Sequence, residues 1–299
     1  MDRGTKVSEA TLAGNGTVYS GRRPFWVRFR RSRAAVVGLV IVSVFVLSAL
    51  LAEQIAPYNP ADIDLMNRLV GPSARHLFGT DQLGRDVFSR TLYAARVSLS
   101  VALVAVSIVV VVGVVIGATA GFSGGILDST LMRTTDVWLS FPTFFLMLGI
   151  VTMFGRSIPV MIAVIGLTAW PITARVVRGE YLSWKERDLT LAARALGASN
   201  ARIIFRHIFP NVMGSVLVIA TMQVAWAILA EAGLSFIGLG VQPPTASLGS
   251  MVADGREFLR EAPWVTLMPG VIIFICVMAF NLIGDALRDA FDPRMDIQG

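Results

Sequence analysis

The residue types that most often carry covalent or metal chemistry are scarce in this chain. Its only histidines are His76 and His207, and its single cysteine, Cys276, lies inside an apolar run. Neither histidine has a neighbour at ligand-like spacing, and one cysteine cannot form a disulfide framework or a metal-ligand motif. The two lysines, Lys6 and Lys185, lie outside any Gly-x-x-x-x-Gly-Lys-Ser/Thr loop, the signature of a P-loop ATP site. The sequence therefore predicts no catalytic residue, no metal site and no cofactor bound by this chain.

The overall composition indicates that lipid is the main solvent of the chain. Hydrophobic residues make up 55% of the 299 residues and charged residues only 15%, whereas a typical soluble domain is about 25% charged. The formal net charge of +6 could indicate nucleic-acid binding, but nearly all the basic residues are arginine and many flank apolar runs. Membrane orientation explains this distribution better, and we predict no nucleic-acid partner.

Six charge-free runs are long enough to form membrane-spanning helices. A helix needs about 20 apolar residues to cross a hydrocarbon core about 30 Å thick, because backbone polar groups in lipid must be satisfied within their own segment. We therefore predict an all-α integral membrane protein with six transmembrane helices. Residues 232–253 are also uncharged, but their glycines and prolines favour the end of the fifth span followed by an external loop. The six runs are 34–52, 97–127, 137–155, 157–174, 207–230 and 262–284.

Basic residues set the predicted orientation. The tail of residues 1–33 is rich in arginine, so the positive-inside rule places the N-terminus in the cytoplasm. Six crossings return the C-terminal tail, residues 288–299, to the same side. The first helix, predicted over residues 34–56, has an apolar run too long for a signal peptide and is expected to remain as an anchor.

The predicted external loop of residues 57–96 ends in an amphipathic stretch. Val87, Phe88 and Leu92 recur at near-helical spacing, which favours a short helix lying along the outer membrane interface. The other five spans and their connections form a transmembrane domain predicted over residues 97–287.

Gly113, Gly117 and Gly121 repeat every four residues in the second run. This spacing places three positions without a side chain on one helix face, where another helix can approach closely. We predict a packing role for this face. The neighbouring helix could belong to this chain or to a partner.

Four residues in or beside the spans are candidates for lining a transport pathway. Pro142 and Pro171 remove backbone donors within the third and fourth runs, so we expect bends that either line a pathway or shape packing. Glu231 follows the fifth run directly, and an acid at membrane depth suggests function. Because about 20 residues of span precede it, an interfacial carboxylate at the outer helix end is the favoured interpretation. Asn281, near the inner end of the sixth run, is interpreted in the same way.

The longest predicted internal segment between spans covers residues 178–210. We predict two short helices in it, over residues 186–196 and 201–208, with a turn at 197–200 and the second helix ending at Pro210. Basic residues surround this segment. Its small residues could fit closely against another protein: Ala192, Ala193, Ala195, Gly197 and Ala198.

This segment resembles the EAA signature of ATP-binding-cassette (ABC) importer permeases. The similarity covers Leu191-Ala192-Ala193, the three-residue spacing to Gly197, and the later run His207-Ile208-Phe209-Pro210. Leu191 stands where the signature has glutamate, and His207 and Phe209 replace its isoleucine and leucine. The salt bridge that the glutamate would make is therefore not expected, whereas docking by shape is.

Other blocks are similar, more specifically, to the C-type permease subunit of the dipeptide/oligopeptide/nickel importer family. Together these blocks extend over most of the chain after the N-terminal tail. They are residues 78–86, 234–244, 281–285 and 292–293.

The resemblance implies a type I ABC importer permease fold in a bacterial or archaeal cell membrane. It also implies three kinds of partner: a second homologous permease, cytoplasmic ATPase subunits that bind ATP and Mg²⁺, and an extracytoplasmic substrate-binding protein. The implied substrate is a short peptide, with nickel complexes or glutathione as alternatives. The residues implied to couple this chain to an ATPase are Leu191, Ala192, Ala193, Arg194, Leu196, Gly197, Ala198 and Pro210.

An ion-coupled secondary transporter or channel working alone is the main rival from another class. Such proteins typically carry charges or inverted repeats near the membrane midplane, whereas charges here cluster at the ends of the spans and no internal repeat is visible. An intramembrane enzyme would need a nucleophile and a base within the spans, which contain no acid or histidine clearly at depth. We therefore predict an alternating-access half-pore driven by separate ATPases.

Overall fold

The computed structural model describes Phe29 and residues 32–291. Most of the predicted N-terminal tail and the block at residues 292–293 lie outside this part of the chain. Within it, helices are joined by loops, and the β structure is confined to one isolated bridge between Thr80 and Asp86. The main helices are α1 (Arg33–Leu50), α2 (Val87–Ser123), α3 (Gly125–Ser140), α4 (Thr143–Phe154), α5 (Ile158–Lys185), α6 (Asp188–Ala195), α7 (Phe209–Phe236), α8 (Leu248–Gly255) and α9 (Trp264–Phe291).

Five helical segments of the described residues are long and apolar enough to cross a membrane. They correspond to α1, α2, α5, α9 and a continuous segment, Asn200–Phe236, that ends with α7. The pair α3 and α4 qualifies as a sixth span when it is counted as one helix bent by 82°. The fold class predicted from hydropathy, an all-α membrane protein with six spans, is therefore confirmed.

The third span is broken into two helices, whereas the charge-free run 137–155 had predicted one continuous helix. Helix α3 ends at Ser140, Phe141 is extended, and Pro142 is the N-cap of α4. The residue before a proline disfavours the α conformation, and the missing N–H of Pro142 costs nothing at a helix start. The expected bend at Pro142 is thus a full break between two helices.

The amphipathic stretch at the end of the predicted external loop forms the first turns of α2. Asp86 caps this helix by accepting a hydrogen bond from the Ser89 N–H, and the Val87 and Leu92 side chains are buried. The prediction of a separate interfacial helix is therefore wrong. An amphipathic helical pattern is required both for packing against a helix bundle and for lying on a membrane surface. The apolar spacing of this stretch therefore fits its burial in the bundle equally well.

The glycine face of α2 packs against α5 of the same chain. A Cβ atom at Gly117 would lie 2.4 Å from the Ala174 carbonyl oxygen, and one at Gly113 would lie 2.6 Å from the Thr173 Cβ. At Gly121 the nearest atoms, at 2.7 Å, belong to α5 as well. The predicted packing role is confirmed by these contacts, and the neighbouring helix is identified as α5.

The segment between α7 and α9 contains a buried helix. The prediction of an external loop here is wrong for α8, whose Leu248 and Met251 side chains are buried. Gly249 permits the close approach, because a Cβ there would lie 2.4 Å from the Ala232 Cα in α7. Helix α8 therefore packs into the bundle at the end opposite the segment between α5 and α7.

Candidate functional site

The connecting loop, residues 186–208 between α5 and α7, contains the predicted coupling residues except Pro210, and most of them are exposed. Leu191 is 48% exposed and Leu196 is 89% exposed, which is unusual for leucine side chains in one short segment. Exposed apolar side chains that form a patch often mark interaction surfaces. Of the other predicted coupling residues, Ala193 and Ala198 are half-buried, and those that are exposed are Ala192, Arg194, Gly197 and Pro210.

The base of the connecting loop is anchored firmly to the bundle. Tyr181, Ile203 and Ile208 are buried in one hydrophobic cluster between the ends of α5 and α7. The Lys185 ammonium group donates a hydrogen bond to the Phe122 carbonyl at the end of α2, at 2.7 Å. The exposed apolar tip is therefore carried by a base with a defined position.

The turn at the tip of the loop agrees with the sequence prediction. Helix α6 ends at Ala195, and Gly197 has a φ of +79°, in the left-handed region that favours glycine. The Gly197 N–H bonds to the Arg194 carbonyl, and the Ala198 N–H bonds to the Ala193 carbonyl. Open space surrounds Gly197, so a larger residue there would strain the backbone of the loop itself.

The second predicted helix of the loop does not end at Pro210. A helical turn at Asn200–Arg202 continues as a π-helix over Ile203–Ile208 and then directly into α7. Pro210 lies in the first turn of α7, where its missing N–H is tolerated. The predicted helix end is therefore wrong, and the loop joins α7 through an irregular helical turn of a type often found at functional sites.

Two neighbouring cavities lie along α5, and we refer to them together as the central groove. Its upper part is a cavity of about 410 Å³, with Thr143, Pro171, Ile172, Gln223 and Trp226 among its lining residues. The lining is mostly apolar, with a few groups able to form hydrogen bonds. This combination is typical of sites that bind small molecules.

The lower part of the central groove lies nearer the connecting loop. It is a cavity of about 530 Å³ lined by Val176 and Glu180 of α5, residues of α7, and Arg288 of α9. The Ser215 hydroxyl donates to Glu180 at 2.6 Å. Ile172 lines the upper part and Val176, one helical turn further along α5, lines the lower part, so both cavities follow the same side of α5.

The pathway candidates chosen from sequence have different positions relative to this groove. Pro171 is buried in α5 and lines the upper part, where Gln223 donates to the nearby Ala169 carbonyl at 3.4 Å. Pro142 lies at the break beside the groove. Asn281 is exposed on α9, two helical turns before Arg288, so its role in a pathway stays a prediction.

Glu231 is completely buried inside the bundle. Its carboxyl group accepts hydrogen bonds from the hydroxyls of Ser98, Ser235 and Ser247, at 3.0, 2.7 and 2.6 Å. The Ser98 hydroxyl also accepts the Leu248 N–H at the start of α8. The favoured interpretation of an interfacial carboxylate is therefore wrong, because this group joins α2, α7 and α8 within the protein.

The block at residues 78–86 organises the loop before α2. The Asp81 carboxylate accepts from Arg85 at 2.7 Å and lies 3.4 Å from the buried Arg90 guanidinium. The same guanidinium lies 4.0 Å from Asp254 of α8. Burial raises the pKa of Asp254 above its ordinary value, although Arg90 acts in the opposite direction. These charges connect the loop before α2 to the segment after α7.

Sequence reasoning missed two residues. The fold brings Gln223 into the groove and Ser98 into the cluster around Glu231. Both are polar residues inside long apolar runs, and this was the signal that could have identified them. It also missed an ion pair between Asp136 and Arg175, which are 39 residues apart in the chain. Their pairing depends on the packing of α3 against α5.

Comparison with known proteins agrees with this architecture. Residues 113–297 match the family model described as binding-protein-dependent transport system inner membrane component. Residues 22–72 match the N-terminal transmembrane domain of oligopeptide transport permease C. The fold and these matches define a multi-pass membrane permease of the ABC importer class. The chain belongs to the family of dipeptide and oligopeptide permeases of the C type.

Similar proteins of this family carry several substrate names. The chain is 41% identical over 279 residues to the dipeptide transport system permease protein DppC of Alkalihalophilus pseudofirmus, covering 93% of this chain and 92% of the relative. It is 39% identical to the oligopeptide transport system permease protein OppC of Bacillus subtilis, covering 90% of this chain and 88% of the relative. It is 41% identical to the glutathione transport system permease protein GsiD of an Escherichia coli strain, covering 91% of this chain and 90% of the relative.

Proposed function

We propose that this chain forms half of the translocation pore of an ATP-driven importer of short peptides. A second, homologous permease covers the open side of the central groove, and an extracytoplasmic binding protein delivers the substrate. Cytoplasmic ATPase subunits bind ATP and Mg²⁺ and contact the connecting loop. Closure and separation of these subunits drive the alternation between outward and inward access.

The observation that carries this proposal is the pairing of an exposed apolar tip with an anchored base in the connecting loop. Leu196 and Phe205 are 89% and 70% exposed, whereas Tyr181 and Ile203 are fully buried at the base. Docking of a partner would remove this apolar surface from water, which the hydrophobic effect favours. Its anchored base gives the partner a firm attachment to α5 and α7, which line the groove.

The substrate class is supported by the groove and by the relatives together. The upper groove combines apolar walls with hydrogen-bonding groups such as Thr143 and Gln223, a lining able to accept a peptide backbone and varied side chains. Relatives named for dipeptide, oligopeptide and glutathione transport all align over about nine-tenths of the chain. Glutathione is itself a tripeptide, so it stays a specific alternative, as do nickel complexes.

The coupling role can be tested with a charged residue at the loop tip. We expect Leu196→Glu to abolish co-purification of the ATPase subunits and ATP-driven uptake, because a charge in an apolar interface must be desolvated without a partner. Met66→Glu is a matched control. Met66 is 93% exposed and lies before α2, at the end of the bundle opposite the connecting loop, so this variant should retain the ATPases.

Three outcomes would contradict parts of the proposal. Normal ATPase binding and uptake by Leu196→Glu would refute the coupling role. Uptake by this chain alone in proteoliposomes that lack ATPase subunits would favour a secondary transporter. Competition by glutathione or Ni²⁺, without competition by di- and tripeptides, would replace the peptide assignment by the corresponding alternative.

A further inference from the structure

The broken third span places the start of a helix beside the upper part of the central groove. Helices α3 and α4 are bent by 82° relative to each other. Leu139 of α3 and Thr143 and Phe144 of α4 line the cavity at this break. The lining also includes Thr168 and Ile172, which lie near the middle of α5. The start of α4 therefore borders a cavity about halfway along a neighbouring span.

The first turn of α4 has two open backbone donors. Its N-cap is Pro142, which makes no side-chain capping bond. The Pro142 carbonyl accepts the N–H groups of Phe145 and Leu146. The N–H groups of Thr143 and Phe144 have no partner among the described residues. Aligned peptide dipoles give a helix start roughly half a positive charge, and open N–H groups at this end favour an anion.

The side chain of Gln223 in α7 points independently to a ligand in the same cavity. It is only 9% exposed and lines the upper part of the groove. The one hydrogen bond that it makes within the described residues, to the Ala169 carbonyl, is 3.4 Å long, beyond the usual range for an N–H···O bond. A polar side chain that is buried without a strong partner costs free energy, so a ligand that bonds to Gln223 would recover this cost.

Trp226, one helical turn after Gln223, supplies another donor to the cavity. It is half-buried and lines the upper part of the groove, and its indole N–H has no partner in the described part of the chain. An indole nitrogen can only donate a hydrogen bond. The described lining residues include no acidic side chain that could accept from it or balance the positive end of α4.

These groups together match a carboxylate. A carboxylate only accepts hydrogen bonds, whereas the open groups of α4 and Trp226 only donate. The Gln223 amide can turn its nitrogen from Ala169 toward the ligand at little cost, because the bond that it gives up is long. An ammonium group is disfavoured here, since it would meet the positive end of α4. In membrane transporters of other folds, the starts of broken helices bind anionic substrate groups near the middle of the bilayer.

We propose that the start of α4, together with Gln223 and Trp226, forms a subsite for the C-terminal carboxylate of the transported peptide. The N–H groups of Thr143 and Phe144 and the indole of Trp226 donate to the carboxylate oxygens. The apolar remainder of the cavity accommodates the side chain next to this end of the peptide. This inference rests on the proposed peptide-import function and assigns recognition of one peptide end to the upper part of the groove.

The test removes one backbone donor while preserving the helix. Thr143→Pro deletes the N–H group, and proline is well tolerated at the first position of a helix. Pro142 has a ψ of 115°, within the extended conformation that a residue before proline prefers. Thr143→Ala is the matched reference, because it keeps the N–H group and loses only the hydroxyl. Comparison of the two variants therefore isolates the contribution of the N–H group.

Two peptides are compared in the complete importer, reconstituted in proteoliposomes with its binding protein and ATPases. They are trialanine and its C-terminal amide, which lacks the carboxylate, each at concentrations that saturate the binding protein. Uptake by each variant is divided by uptake of the same peptide by the parent, so the preference of the binding protein cancels. Equilibrium binding of both radiolabelled peptides to the permease complex in detergent, without the binding protein, gives a second readout that does not depend on delivery.

The expected losses are selective for the peptide with a free carboxylate. Thr143→Pro should lower uptake and binding of trialanine about tenfold relative to Thr143→Ala, the effect of losing one hydrogen bond to a charged group. The amide should be affected several-fold less, because a neutral acceptor makes a weaker bond. Trp226→Phe keeps an aromatic ring and removes the indole N–H, so it should show the same difference between the peptides. It decides the matter if Thr143→Pro does not assemble with its partners.

Failure of this inference can be distinguished from failure of the proposed function. An assembled variant, Thr143→Pro or Trp226→Phe, that affects both peptides equally, affects neither, or affects the amide more would overturn the carboxylate subsite while peptide import by the parent still stands. Absence of peptide uptake by the parent importer itself would overturn the proposed function.

Discussion

Replacement of Glu231 tests whether the buried carboxyl group holds α8 against the bundle. Three serine hydroxyls donate to it, and a buried donor left without its acceptor costs roughly 1–3 kcal/mol. Glu231→Leu removes the acceptor and leaves three buried hydroxyls without it. Because such networks are not additive, we expect a loss of about 3–5 kcal/mol, within the summed cost of three unsatisfied donors.

Glu231→Gln is the matched variant because it preserves shape and one oxygen. Ser235 and Ser247 both bond to Oε1, which an amide retains. Only the hydrogen bond between Oε2 and Ser98 changes, because an NH₂ donor replaces the acceptor oxygen. The Ser98 hydroxyl can rotate to accept from this new donor. The loss should therefore be about 1 kcal/mol, one ordinary hydrogen bond.

Thermal unfolding in detergent and hydrogen exchange measure the two effects. A loss of about 4 kcal/mol corresponds to a fall in Tm on the order of 10 °C for a chain of this size, whereas the glutamine variant should fall by only about 3 °C. The Leu248 N–H, which bonds to Ser98, should exchange faster in Glu231→Leu than in Glu231→Gln. Equal Tm values for the parent and the leucine variant would refute the reasoning.

Four further substitutions give distinct expectations. Gly117→Ala should destabilise the protein by about 1–3 kcal/mol through overpacking, whereas Gly179→Ala, a helical position with open space around it, should stabilise it by about 0.5–1 kcal/mol; opposite shifts in Tm check both. Asp128→Asn weakens the pair in which Arg178 donates two hydrogen bonds to Asp128, and it should lower the free energy of unfolding by about 1–2 kcal/mol. Glu53→Gln should leave the free energy of unfolding almost unchanged in the same Tm assay. The raised pKa of Asp254 means that its ionised form is disfavoured in the folded state. The parent should therefore lose stability, relative to Asp254→Asn, as the pH rises above the ordinary value of 3.8, and equal Tm differences at pH 4 and pH 7 would contradict this.

Features set by local sequence were predictable. Apolar runs identified the spans because a helix in lipid must be apolar along its own length. The four-residue spacing of Gly113, Gly117 and Gly121 identified a packing face for the same local reason. The exposed turn at Gly197 followed from residues within one short segment.

Features that depend on distant contacts were not predictable from one sequence. Glu231 lies directly after an apolar run, and hydropathy alone placed it at an interface. Its burial depends on Ser98, 133 residues earlier in the chain, and on α8 folding back to supply Ser247. The glycines and prolines after α7 indicated a loop, and they are compatible with a buried helix only because Gly249 allows close packing against α7.

The contacts of α5 indicate how the connecting loop and the central groove can move together. One side of α5 packs on the glycines of α2, and its end is bound to α2 through Lys185, so these two helices form one firmly packed unit. Helix α3 is attached differently. It is capped by Gly124 and begins at Gly125, two glycines with positive φ values and open space around them, and the break at Pro142 follows it. Ion pairs are prominent in its attachment to α5, so a force on the loop would move α2 and α5 as a body and change the groove chiefly where α3 meets α5.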